Sequence, residues 1–270
     1  MAESGSTIRL LRLADRLRMP AIASAAEALD LPAGSHGLDA GCGIGSHTEL
    51  LLKTTAPAGR VTGLDAAADH VAIAQESARE KGLSDRAGFR CGTVESHPFE
   101  AGSFDWAWSV DCVGLIPGDP VELVRRLAGV VKPGGTVALV FWSSQLLLPG
   151  YPFLEARLGG TKAGAAPAKA DSPPERHFLR SMGWFSRAGL LEPKARTFLV
   201  DLRGPLEEAE KEALASVIQM RWGRPETELS KEDWGLFCRL TDREGPDSIV
   251  DREDYFGFFT YSMFWATVPG

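Results

Sequence analysis

Asp39, Gly41, Gly43 and Gly45 alternate with small or apolar residues in the run Leu38-Asp39-Ala40-Gly41-Cys42-Gly43-Ile44-Gly45-Ser46. An apolar segment ending in closely spaced glycines reads as a buried strand entering a sharp turn that opens a helix. The missing side chains let a ligand approach bare backbone. A second β-rich run, Arg60-Val61-Thr62-Gly63-Leu64-Asp65, ends in a carboxylate. An acid about 20 residues beyond a glycine loop can accept hydrogen bonds from both hydroxyls of a ribose. It can equally cap the helix expected from Ala66 to Lys81. The dinucleotide fingerprint wants glycines at its first, third and sixth positions, and counting from Gly41 the sixth position is Ser46, which speaks against NAD. The pattern points to a nucleoside and leaves its kind open.

The elements that must position these residues alternate strand with helix. Strands are expected up to Ala40, over 60–65, near 89–91, after Ser103-Phe104-Asp105 and ending at Asp111, over 136–142, 197–202 and 255–265, with helices from Ser46, over 66–81, from Pro120 to Val131 and over 175–190. Asp119 before Pro120 is a cap followed by a first-turn proline. Lys132-Pro133-Gly134-Gly135 should stop that helix, and the apolar Thr136–Trp142 run suits a strand buried on both faces. Ahead of the sheet, residues 7–19 predict a helix with Leu10, Leu13 and Leu17 on one face and Arg9, Arg12 and Arg16 on an adjoining one. Pro20 should open a second helix reaching Leu29. Gly150–Pro174 is rich in Gly, Ala and Pro and reads as a mobile loop. Pro205 should start a helix carrying Leu206, Leu214, Val217 and Ile218, stopped by Gly223 and Pro225, and a shorter helix is expected over 230–240.

Composition narrows the partners. With 36 acidic against 29 basic residues, the 270-residue chain carries a formal charge of -7, which does not suit a binder of phosphate backbones. Cys42, Cys91, Cys112 and Cys238 lack metal-ligand spacing, no metal constellation is visible, and the thiols read as reduced. No apolar run is long enough to cross a bilayer, so the expectation is a cytoplasmic protein without membrane insertion. Nothing in the sequence reports the oligomeric state.

The Asp39–Gly45 run resembles motif I of class I S-adenosylmethionine-dependent methyltransferases, and two further segments extend the likeness. Gly92-Thr93-Val94-Glu95-Ser96-His97-Pro98-Phe99 followed by Ser103-Phe104-Asp105 is similar to the family's Gly-Asp-Ala-Glu-x-Leu-Pro-Phe and Ser-Phe-Asp, with Thr93 in place of the acid and His97 in place of the leucine. The helix, Lys-Pro-Gly-Gly turn and strand ending at Trp142 resemble the family as well, so the likeness covers residues 36–142. Within the class, the chain is similar to methyltransferase type 11 and to the ubiquinone-menaquinone biosynthesis methyltransferases.

That resemblance implies an α/β fold: a Rossmann-like seven-stranded, mostly parallel sheet with helices on both faces, an antiparallel last strand and a small helical cap insertion. The expected layout is N-terminal helices over 1–35 acting as a lid, a core over 36–204, a cap insertion over 205–254 and the final strand over 255–270. It implies S-adenosyl-L-methionine as cofactor, S-adenosyl-L-homocysteine as product and no metal. Cofactor contacts would come from Asp39, Gly41, Gly43, Gly45, His47, Asp65, Ala66, Thr93, Val94 and Ser109. Thr93 can accept a bond from the adenine amino group only without the charge assistance of a carboxylate. The reaction implied is in-line displacement onto a small-molecule acceptor, for which holding donor and acceptor collinear does most of the catalysis. Asp111, at the end of the fourth strand, is the candidate base, His177 a second candidate near the acceptor, and Trp142, Trp222, Trp234 and Phe237 the candidate pocket. His36, His70 and His97 read as surface or hinge groups. Two alternatives stay open: an NAD(P)-dependent oxidoreductase of Rossmann type, and a catalytically degenerate protein that only binds the cofactor.

Overall fold

Short apolar runs punctuated by glycine turns and capped helices give seven strands and nine α-helices among the described residues. The computed structural model describes residues 2–55, 58–166 and 172–270, with residues 2–7 described by backbone alone. The chain opens with α1 (Ala2–Ala28) and continues through β1 (His36–Ala40), α2 (Ser46–Thr54), β2 (Arg60–Asp65), α3 (Ala68–Glu80), β3 (Ala87–Cys91), β4 (Phe104–Val110), α4 (Pro120–Val130) and β5 (Val131–Leu146). There follow α5 (Pro152–Gly159), α6 (Lys162–Ala165), α7 (Ser181–Ala188), β6 (Leu191–Arg203), α8 (Glu208–Trp222), α9 (Lys231–Thr241) and β7 (Phe256–Thr267).

The sheet order is β3-β2-β1-β4-β5-β7-β6. β1 pairs in parallel with β2 and β4, β2 with β3, and β4 with β5. β7 reverses direction. It bonds Gly134 and Gly135 through Val268, and Ser143 through Thr260, so its numbering falls as that of β5 rises. Against β6 the same reversal shows in the Thr197–Ser262 and Gly204–Tyr255 bonds. The chain reverses its order about β1, and in open sheets of this kind ligands bind beyond the carboxyl ends of the strands at that switch.

The chain divides into two compact units, one of Met1–Ala21, Ser143–Ser172 and Leu199–Thr260, the other of Ile22–Trp142, Pro173–Phe198 and Tyr261–Gly270. The second, the sheet unit, is built around Leu38, Ala107, Val124, Leu127, Val137, Leu139, Phe141 and Phe185, all almost wholly buried. Asp119 accepts from the backbone N–H groups of Val121 and Glu122 and so fixes the start of α4. The Lys132–Gly135 turn is absorbed into β5 as a bulge: Phe104 pairs with Val131, yet Trp106 pairs with Thr136.

The first, the helical unit, packs Leu154, Leu158, Leu214, Val217, Trp222 and Phe237 away from solvent. A reciprocal Glu207–Glu210 capping box starts α8, and Ser230 caps α9. Two expectations are corrected. Pro20 does not divide the N-terminal helices but lies inside the continuous α1. An interior proline costs about 3 kcal/mol, and the stripe of buried Ala14, Leu17, Ala21, Ile22 and Ala25 on α1 outweighs it. The segment expected as a mobile loop contains α5 and α6, because Leu154 and Leu158 bury one face and the Thr161 side chain caps α6. Residues 167–171 of that expected loop lie outside the described residues.

Candidate functional site

The turn between β1 and α2 is pinned on its inner side. Gly41 and Cys42 both donate to the Leu64 carbonyl of the neighbouring strand, at 2.8 and 3.1 Å. Gly41 and Gly45 take left-handed φ values of 84° and 89°, and side chains there would run into Cys112 and into Ala74 of α3. Gly43, at φ 51°, differs: a Cβ on it would meet nothing within 4 Å. Two of the glycines therefore let the loop pack, while the middle one leaves its outer face open.

Two carboxylates lie under this loop. Asp65 Oδ2 accepts from the Gly43 N–H at 2.9 Å, and Oδ1 accepts from the Ala67 N–H, also at 2.9 Å, where α3 begins. His70 Nδ1 lies 3.6 Å from the same Oδ1. Asp39 is fully buried. Thr48 Oγ1 donates to its Oδ2 at 2.7 Å, whereas its Oδ1 has no hydrogen-bond partner among the described residues. Burial pushes the Asp39 carboxyl up to about 7; the Thr48 bond opposes that shift and the charge of Asp65 adds to it. Burial, with the charges of Asp39 and Asp65, also pushes the Cys42 thiol far up, and the same causes take Cys112 up to about 12. Neither is a nucleophile at neutral pH.

The end of β4 closes the other side. Ser109, almost wholly buried, donates to the Ala40 carbonyl at 2.8 Å and accepts from Val113 N–H at 3.0 Å, tying β1 to the loop after β4. Asp111 stands in the left-handed region at φ 46°. Its Oδ1 accepts from Trp142 N–H at 2.8 Å and its Oδ2 from the Tyr261 hydroxyl at 3.0 Å, so one carboxylate joins the end of β4 to the interiors of β5 and β7. The Trp142 ring stands edge-on to Tyr261 at 5.7 Å.

Gly92 N–H donates to the Asp65 carbonyl, which brings the 92–99 segment alongside β2. Thr93 is exposed and its hydroxyl bonds the Ser96 hydroxyl at 2.8 Å; Val94 is half-buried against the core. His97, the departure from leucine, stacks on Phe99 at 3.9 Å in place of an aliphatic contact. His47 is half-buried just inside α2, and Ala66 is exposed after Asp65. His177 is exposed, with its Nδ1 accepting from Leu179 N–H at 3.3 Å as the cap of a short 3-10 turn. Trp222, Trp234 and Phe237 belong to the helical unit, where the Phe237 ring meets Trp222 at 6.2 Å and Trp234 at 5.9 Å. Sequence reasoning missed Thr48 and Tyr261. A hydroxyl three residues into α2, on the turn facing Asp39, was a usable signal for Thr48; nothing local marks Tyr261.

The methyltransferase domain family matches residues 38–135, from the heart of β1 to the bulge of β5. Over that stretch the chain is similar to a methyltransferase domain. Among similar proteins, the methyltransferase GfsG of Streptomyces halstedii is 32% identical over 113 residues, covering 42% of this chain and 40% of that one. The erythromycin 3''-O-methyltransferase of Saccharopolyspora erythraea is 31% identical over 166 residues, covering 59% of this chain and 53% of its own. The chain thus spans about half or less of the length of these curated relatives. In fold it is similar to the YcgJ protein of Bacillus subtilis, with a TM-score of 0.57 at 19% identity, over 93% of this chain and 99% of that one. Among the described residues no group of His, Cys, Asp and Glu is placed to hold a metal, and no helix is long and apolar enough to cross a membrane.

Proposed function

We propose that this protein binds S-adenosylmethionine at the β1–α2 loop and transfers its methyl group to a small-molecule acceptor. The observation that carries the reading is the open outer face of Gly43 above two carboxylates, one of them buried with an unpartnered oxygen. A cationic nucleoside fits that donor set: the bare peptide groups of the loop accommodate its amino-acid tail, Asp65 retains lone pairs for ribose hydroxyls, and Asp39 supplies negative charge. When bound, the sulfonium supplies a methyl group already activated by positive charge. The protein's share is orientation, with Ser109, Gly41 and Asp65 holding the loop in one shape. His47, Ala66, Thr93, Val94 and Ser109 complete the proposed cofactor shell.

Asp111 is the proposed base for acceptors that must lose a proton, together with His177. Both Asp111 oxygens already accept hydrogen bonds, from Trp142 N–H and from the Tyr261 hydroxyl, an arrangement that positions Trp142. Segments 1–35 and 205–254 are assigned to acceptor recognition, with Trp234 and Phe237 in the helical unit and Trp142 in the sheet unit each taken by itself; Trp222, fully buried, packs the helical unit instead. Support for a small acceptor comes from the acidic charge and from relatives whose names include an antibiotic O-methyltransferase. Calorimetry with S-adenosylmethionine, S-adenosylhomocysteine and NADH tests the cofactor, and a metabolite screen for S-adenosylhomocysteine release tests the transfer. Binding of the two sulfur nucleosides and not NADH is expected; tight NADH binding without response to the sulfonium would overturn the reading. A second reading, a protein that binds the cofactor without catalysis, draws on Thr93, whose hydroxyl is already bonded to Ser96. Cofactor binding with no release across the screen selects it.

A further inference from the structure

A groove of about 870 Å³ lies within the helical unit, formed by α1, α8 and α9. That volume falls in the range of small-molecule sites, roughly 300–1,000 Å³. Leu10 and Leu13, one turn apart on α1, face Ile218 of α8 and the Trp234 and Phe237 rings of α9. Leu10, Leu13 and Trp234 are only half-buried, so the fold leaves apolar and aromatic surface uncovered inside a concavity. The charges around it are unequally satisfied. Arg9 is held by Glu212 at 2.6 Å, Arg243 by Glu208, and the Asp242 carboxylate accepts from Glu244 N–H at 3.1 Å. Arg224, next to the Gly223 that ends α8, has no ion pair among the described residues. Burial pushes the Cys238 thiol up, and the Arg224 guanidinium is near enough to draw it down against that push and the smaller one from the Glu226 carboxylate. An aromatic floor with one unpaired guanidinium at its side is complementary to a ring that carries an anion.

We propose that this groove binds a small, ring-bearing apolar molecule with a single anionic group, its ring against Trp234 and Phe237 and its anion on Arg224. None of the glycine-loop residues lines the groove; because Trp234 and Phe237 are also proposed above for acceptor recognition, the inference deepens that reading, while its binding test requires no methyl transfer. The probe is 1-anilinonaphthalene-8-sulfonate, a flat aromatic anion, titrated into the full chain and followed by its fluorescence. Saturable one-to-one binding is expected, weakened about tenfold in Arg224→Glu by loss of a charge-assisted contact. N-phenyl-1-naphthylamine, which lacks the sulfonate, should bind both forms alike. Bound dye should slow alkylation of Cys238 by N-ethylmaleimide several-fold, and Arg239→Glu, on the same helix but outside the groove, should change nothing. Trp234→Ala should abolish most of the binding; because that variant can also disturb the packing of α9, the exposed Arg224 carries the decision. Equal dye affinity in wild type and Arg224→Glu, unprotected Cys238, or displacement of the dye by S-adenosylhomocysteine would each overturn the proposal.

Discussion

The proposed cofactor site predicts that Asp39 makes cofactor affinity a function of pH. Its carboxyl, raised from 3.8 to about 7 by burial, is half protonated at neutral pH in the ligand-free protein. A positively charged nucleoside favours the carboxylate, so binding near pH 7 expels a proton and the affinity depends on the ionised fraction. That fraction is about one in eleven at pH 6 and about ten in eleven at pH 8, so S-adenosylmethionine should bind about tenfold tighter at pH 8, or about 1.4 kcal/mol. Folding stability moves the other way: a carboxyl whose folded value lies above its unfolded one binds extra protons in the native state, so its contribution falls as pH rises from about 4 through about 7. The assay is calorimetry across pH 6–8 in two buffers of different ionisation enthalpy, which counts the protons released. The ligand's amino group titrates near 7.7–8.0, so the comparison is with Asp39→Asn, which keeps that contribution and loses the carboxyl. Equal pH slopes in the two proteins, or no proton release in the wild type, would refute the reasoning.

Gly41→Ala and Gly43→Ala should separate packing from ligand approach. The first places a Cβ 2.4 Å from Cys112 Sγ and should cost on the order of 3 kcal/mol in urea unfolding. The second meets open space and should cost about 1 kcal/mol for its backbone, yet weaken cofactor binding at least tenfold by calorimetry. Tyr261→Phe, which deletes the bond to Asp111, should lower unfolding stability by about 1 kcal/mol, read from the denaturant midpoint at constant slope. Burial lowers the His36 imidazole below 6.5, against the pull of Asp105, so the neutral ring is the one the fold accepts. Its contribution is complete above about 6.5 and is lost as pH falls through the lowered value. Melting between pH 7 and 5 should show that loss, and His36→Asn should flatten it.

The order of strands and helices through β5 was legible because each carries a local signature: a β-rich run, a glycine turn, or the Asp119-Pro120 start. The loop and Asp65 were legible for the same reason, since Gly43 and Asp65 sit on consecutive strand-helix turns. What could not be read depends on distant partners. Asp111 was singled out as a strand-end acid, but its hydrogen bond to Tyr261 spans 150 positions and exists only because β7 enters beside β5. Pro20 and the 152–165 helices were misjudged because buried stripes overrode local breakers. The half-satisfied state of Asp39 follows from three-dimensional burial that no spacing encodes.

β7, the last of the described strands in chain order, is not at a margin of the sheet: it separates β5 from β6. During synthesis, until residues 256–267 leave the ribosome, β5 and β6 both present long hydrogen-bonding edges with nothing between them. A nascent chain stalled at that stage would be open to pairing with its neighbours on the polysome. The Asp111 carboxylate would meanwhile wait for the Tyr261 hydroxyl, so this attachment of the β4 tip is acquired only after β7 has emerged.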